Sequence, residues 1–262
     1  MSAAYRNRIG AGVLVARSLI TPWSITPWLI APVLIAGVLA GCASRPAREQ
    51  APPVSPSATT PSPSTASEGT HQGRALQIIP EESLLTVLVF RGGPLGKAGH
   101  NHVIASHDMS GFAWVPSDVS QASFEVHVPV GSFTIDEPAL RAQEGADFAA
   151  DVPDSAREGT KKNMLSEPML DGQRFPEMVL RSSHLEPTDG GAVALVDVTV
   201  RGQTRPVTVP LRYEMKGNAL LVKGELSLRQ TELGLTPFSL LGGALRVEDE
   251  MRVRVSLVAR GE

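Results

Sequence analysis

From about residue 75 onward, apolar residues recur at every second position, and this period constrains the fold more than any other feature. Phe124, Val126, Val128 and Val130 alternate with Ser123, Glu125, His127 and Pro129. Val196, Val198 and Val200 alternate with Asp197, Thr199 and Arg201, and Val207, Val209, Leu211 and Tyr213 with Pro206, Thr208, Pro210 and Arg212. Leu220, Val222, Gly224, Leu226 and Leu228 form a fourth row, and Met251, Val253, Val255 and Leu257 a fifth. Side chains of an extended chain point to opposite faces in turn. Each stretch therefore predicts a strand with one buried and one wet face, as in antiparallel sheets. Turn signals at Pro116-Ser117-Asp118, Asp189-Gly190-Gly191, Arg201-Gly202-Gln203 and Lys216-Gly217-Asn218 separate the runs. A strand about every ten residues suits an all-β barrel or sandwich. The run Leu84–Phe90 is apolar on both faces, so its outer side is expected to be covered.

One stretch breaks the period. Residues 138–166 are rich in Ala, Arg, Glu and Lys, which favour helix. Asp136 is placed to cap a helix starting at Glu137-Pro138, and Asp154 or Ser155 to cap another running to about Leu165. Such an excursion is expected to close one mouth of a barrel or to pack on its flank.

The N-terminal segments differ in kind. Residues 1–41 carry Arg6, Arg8 and Arg17 and no acid, followed by an apolar run of 14 residues, Trp28–Gly41. A bilayer span needs about 20, so the segment predicts a secretory signal. Its end, Leu39-Ala40-Gly41-Cys42, resembles a bacterial lipobox, with Cys42, the only cysteine in the chain, as the acylated residue. Two or three acyl chains would anchor the mature protein stably. Ala43 in place of Asp favours the outer membrane, with the domain facing the periplasm. Residues 42–74, dominated by Pro, Ser, Ala and Thr, predict a tether with too little apolar surface to offset its ordering entropy. A Pro-rich chain of about 30 residues at about 3.1 Å each spans at most about 90 Å. Losing residues 1–41 removes three arginines, so the charge falls from −3 to −6. That balance argues against nucleic-acid binding, which needs a basic surface. One cysteine excludes a disulfide framework within the chain and a cysteine-based zinc cluster.

The chemistry-bearing residues are sparse. Gly96-Lys97-Ala98-Gly99-His100-Asn101-His102 is the most unusual local run, with His107 five residues on. In an extended segment His100 and His102 share a face. With His107, His127 or an acid as third ligand they could hold zinc, copper or a haem iron. The competing readings are contact with a ligand headgroup and a purely structural polar loop. No G-x-S-x-G elbow, phosphate-loop spacing or EF-hand spacing occurs, and no catalytic set is read.

Three stretches together resemble the YceI-like family. Met164–Pro176 is similar to its leucine–serine–aromatic–aspartate–aromatic–proline segment. Val196-Asp197-Val198-Thr199-Val200-Arg201-Gly202-Gln203-Thr204-Arg205-Pro206-Val207 matches its strand, glycine turn and Thr-basic-Pro-Val return. Leu228–Gly234 looks like its last segment, with Gln230, Glu232 and Leu233 where Arg, Asp and an aromatic are usual. The resemblance implies a lipocalin-like antiparallel barrel of about eight strands over residues 75–262. It further implies a non-enzymatic binding protein whose apolar cavity holds an isoprenoid lipid, either a prenyl diphosphate or a quinone, with no cofactor required. Alternation then assigns Leu88, Phe90, Val126, Val128, Val198, Val209, Leu211, Val222, Leu226, Val253 and Val255 to the cavity wall. Lys97, His100 and His102 are assigned to the headgroup at the mouth. The rival functions are a metal- or haem-linked redox protein using His100, His102 and His107, and a scaffold lipoprotein with a filled core.

Overall fold

The computed structural model describes residues 71–261. Cys42, the signal segment and all but the last residues of the tether lie outside them. Twelve strands form one sheet. In chain order they are β1 (Arg74–Ile78), β2 (Leu84–Gly92), β3 (His102–Ser106), β4 (Ser110–Val115), β5 (Ser123–Pro129), β6 (Thr134–Ile135), β7 (Glu177–Thr188), β8 (Gly191–Val200), β9 (Gln203–Lys216), β10 (Ala219–Arg229), β11 (Ser239–Leu240) and β12 (Leu245–Arg260).

Three pairs of strands are single staves broken partway. β1 and β2 both pair with β12, and the breaks between β3 and β4 and between β5 and β6 lie beside the break at residues 79–83. With each pair counted once, and the two-residue β11, which pairs only with β12, set aside, eight antiparallel staves follow one another in sequence order. The last returns to the first through Gln77↔Arg260 and Ile78↔Ala259. The result is a closed, lipocalin-like meander, which leaves no long free edge to aggregate.

Local chemistry explains the tightest connection. Between β8 and β9, Arg201 and Gly202 both adopt left-handed backbone, with φ of 50° and 69°. Two left-handed central residues make the turn whose twist matches a hairpin. A Cβ on Gly202 would lie 2.9 Å from Cε1 of Phe175, so the glycine is required by space as well as by φ.

The helical excursion contains α1 (Pro138–Arg141), a single tight turn at Ala146–Phe148, and α2 (Asp154–Met164). Leu140 of α1 and Phe148 of the tight turn cover the outer face of β2, while Thr160, Asn163 and Met164 of α2 line one end of the barrel interior. Leu88, only 1% exposed, packs with Val103 and Phe148 there, with Phe90 and Leu140 beside them. The rings of Phe90 and Phe148 meet edge to face at 5.9 Å between centroids. An ion pair from Glu144 to Arg254 ties the excursion to β12. This corrects two wall assignments: Leu88 and Phe90 face outward, and β2 turns Leu85, Val87 and Val89 to the interior. Both faces of this strand are apolar, so alternation carried no information on which one pointed inward.

The helix starts differ from expectation as well. Neither Asp136 nor Asp154 caps: Glu137 and Pro153 occupy the cap positions, without side-chain cap bonds. Asp154 pairs with Arg157 instead.

Candidate functional site

The barrel interior is not filled by its own side chains. A cavity of about 510 Å³ runs through it. That volume falls in the range of ligand pockets, about 300–1,000 Å³. Nine of the eleven expected wall residues line it: Val126, Val128, Val198, Val209, Leu211, Val222, Leu226, Val253 and Val255. Phe124, Val207 and Leu257 continue the same rows. The wall is apolar because one face of every stave is aliphatic. It leaves space because Val and Leu reach less far inward than aromatic rings would.

Polar groups are distributed unevenly along the cavity. At the end formed by the starts of β3 and β12 it meets Arg91, His100, His102, Thr160, Asn163, Gln230 and Arg246. At the opposite end the polar liners are Ser123 and Tyr213. Arg91, Asn163 and Arg246 at the first end, and Tyr213 and Met215 at the second, are also exposed, so the lining reaches solvent at both. We call these ends the histidine mouth and the tyrosine mouth. Trp114 also lines the cavity, and its ring stacks on His71 at 3.6 Å and neighbours the exposed Phe112.

His102 is held from behind by a buried network. Its Nδ1 lies 2.6 Å from Oδ2 of Asp136, which is 0% exposed. The other carboxylate oxygen of Asp136 accepts from the Val103 amide at 2.8 Å and from Nη1 of Arg141 at 2.6 Å. Arg141, itself buried, also donates to the carbonyls of Asn101, Phe148 and Ala150. Burial opposes the Asp136 charge, but the bonds from His102, the Val103 amide and Arg141 outweigh it and hold the carboxyl below its usual range. A carboxylate only accepts, so Nδ1 of His102 carries the proton. Nε2 therefore faces the cavity, with the Thr160 hydroxyl 3.4 Å away. In the neutral ring Nε2 accepts a hydrogen bond; in the protonated ring it donates one.

The sequence marks His102 as a mouth residue, and it lines the cavity here, but the sequence assigns it no partner. Asp136 was read as a helix cap, and Arg141 was not singled out. The backbone of Asp136 is itself unusual, with φ of 56°. It leaves helical geometry to send its carboxylate under β3.

The remaining candidates spread apart. His100 lines the mouth, its ring 6.2 Å from that of His102. Lys97 is exposed on a tight turn at Gly96–Ala98 and does not line the cavity. His107 pairs with Glu137 at 3.0 Å. His100, His102 and His107 therefore do not converge. Among the described residues no group of three or more His, Cys, Asp or Glu side chains is arranged to hold a metal ion. His127 lies on the outer wall, between Glu125 at 2.7 Å and Glu177 at 2.8 Å.

An apolar-lined, closed antiparallel barrel with polar groups at one mouth defines a binding protein for a hydrophobic ligand. The YceI-like domain model matches residues 90–259, and the chain belongs to that family. Among solved structures, it is similar to BcnA of Burkholderia cenocepacia, with 16% identity and a TM-score of 0.52 over 70% of this chain and 99% of that one. It is also similar to the YceI protein of Campylobacter jejuni, with 8% identity and a TM-score of 0.43 over 59% of this chain and 82% of that one. A search of curated proteins returned no match.

Proposed function

We propose that this protein is a lipid-anchored periplasmic carrier that holds one isoprenoid lipid, of the prenyl diphosphate or quinone type, along its barrel. The observation that carries the reading is the apolar cavity of about 510 Å³ inside the barrel, with most of its polar lining groups at the histidine mouth. A chain-like apolar ligand buried there gains about 25 cal/mol per Å² removed from water. A polar head at the histidine mouth would meet His100, His102, Arg91 and Arg246, with Lys97 on the rim outside. Prenyl diphosphates and quinones both present oxygen acceptors to such donors, and the aliphatic wall suits a linear, methyl-branched run of isoprene units better than a broad ring system. Anchoring through acylated Cys42, at the outer membrane facing the periplasm, rests on the lipobox resemblance and on the Pro-rich segment that follows it.

The test is extraction of protein purified from its native envelope with organic solvent, followed by mass spectrometry. A prenyl lipid bound near one per chain is the expected result. A chain whose cavity yields no lipid, and which takes up none when incubated with prenyl diphosphate or quinone, contradicts the reading. Intact mass of the mature protein checks the anchor separately.

A further inference from the structure

Three leucines at the histidine mouth stand in solvent. Leu95 is 48% exposed, Leu240 47% and Leu241 76%. They belong to two separate turns joined at Ala244. The Ala244 carbonyl accepts from the Leu95 amide at 2.8 Å, and the Ala244 amide donates to the Leu241 carbonyl. Close packing fixes this junction. A Cβ on Gly93 would lie 2.5 Å from the Ala244 carbonyl oxygen and 2.7 Å from that of Gly243. Leu241 holds a φ of 51°, a left-handed conformation that a branched side chain adopts at a cost. The fold gains no burial from presenting leucine there. Leu240 pairs with Leu245, which lines the cavity, so the tip sits directly on the rim. Exposed basic residues surround it: Arg91, Lys97 and Arg246, of which Arg246 has Glu248 at 3.5 Å.

We infer that this leucine tip is a membrane-docking edge. Leu95, Leu240 and Leu241 enter the interfacial layer of an anionic bilayer, while Lys97, Arg91 and Arg246 meet lipid phosphates. Apolar tips ringed by basic side chains have the composition that binds such surfaces. The mouth then opens onto the medium in which a water-insoluble ligand resides, and the lipid passes between bilayer and barrel without crossing water. The purpose of the contact rests on the carrier reading above; the contact itself does not.

The experiment uses Leu241→Trp in the full chain, with Leu195→Trp on the exposed outer wall as control. Each is read as a difference spectrum against the parent. Vesicles of phosphatidylethanolamine and phosphatidylglycerol, with and without brominated acyl chains, are added. The position 241 signal is expected to shift to the blue and to be quenched by bromine, while the position 195 signal does neither. Lys97→Glu combined with Arg246→Glu should weaken the response about tenfold or more. A position 241 tryptophan that stays in water on vesicles overturns the docking edge. So does one that becomes buried without vesicles as protein concentration rises, which would assign the tip to a second copy of this chain. Insertion by a protein from which solvent releases no lipid supports the docking edge and counts against the carrier reading alone. Leu241 is too exposed for its replacement to threaten folding.

Discussion

His102 and Asp136 share a hydrogen bond of 2.6 Å at the rim of the cavity, and Arg141 neutralises the same carboxylate from the other side. Asp136→Asn would leave the Arg141 guanidinium buried without its counter-charge. Breaking a buried pair from one side costs about 3–5 kcal/mol. His102→Ala, which removes one bond to a charged group, should cost about 1–3 kcal/mol. Chemical denaturation of both variants checks the order. The Asp136 carboxyl is held low in the folded state, so its contribution is complete above the ordinary carboxylate range. It is lost as pH falls through the folded value. The gap between the parent and Asp136→Asn should therefore close in acid.

His127 titrates in the opposite sense. Burial disfavours its charged ring, but the hydrogen bonds it donates to Glu177 and Glu125 outweigh burial and raise its pKa. A raised histidine stabilises the fold fully below its unfolded value and ceases to do so as pH rises through the folded one. The parent should lose stability relative to His127→Gln between about pH 6 and 8. Thermal melts across that range will show the two curves converging; a gap that widens with pH would refute the assignment.

Two apolar substitutions should separate support from ligand contact. Leu88→Ala empties a site that is 1% exposed on the outer wall, and such truncations cost about 2–5 kcal/mol. The lipid content of the protein that folds should be unchanged. Val253→Trp projects a ring into the cavity from a partly buried position, and lipid recovered per chain should fall several-fold while the far-ultraviolet circular dichroism of a β protein is kept. The reverse pattern would mean that the Leu88 face of β2, and not the Val253 face of β12, meets the ligand.

Removing the ligand should lower the melting temperature. A ligand that binds only the folded chain stabilises it by about 2.7 kcal/mol when present at about a hundred times its dissociation constant. Solvent-stripped and refolded protein should melt lower than the native preparation and recover on adding back the extracted lipid. Differential scanning calorimetry reads this directly, and identical melts would argue that the cavity carries nothing that matters to the fold.

Much of the barrel was legible because its later staves are simple. Val196, Val209, Val222 and Val253 each sit in a row where apolar and polar residues alternate, and a single rule places them. The rule fails at β2. Leu84, Leu85, Val87, Leu88, Val89 and Phe90 offer two apolar faces, and the choice between them depends on Phe148 and Leu140, which arrive some fifty residues later. The site was half legible for the same reason. His100 and His102 stood out by residue type, whereas Asp136 sat beside Glu137-Pro138 in a pattern that reads locally as a cap. Its actual partners, His102 and Arg141, are brought to it by the pairing of β3 with β6 and by the return of α1. The left-handed backbone of Asp136 left no mark in the sequence.

The three broken staves have a mechanical consequence. At residues 79–83, 107–109 and 130–133 the backbone ladder lapses at one level, and side chains take over part of its work. The hydroxyl of Ser83 accepts from the Val258 amide, and those of Ser106 and Ser132 meet at 3.4 Å. On one side of this crease, β2, β3 and β6 form a collar with His102, Asp136 and the helices; on the other, β1, β4 and β5 form the stem. β12 runs unbroken past the crease and pairs with β2 on one side of it and with β1 on the other, so any movement of the collar against the stem would have to bend that shared stave.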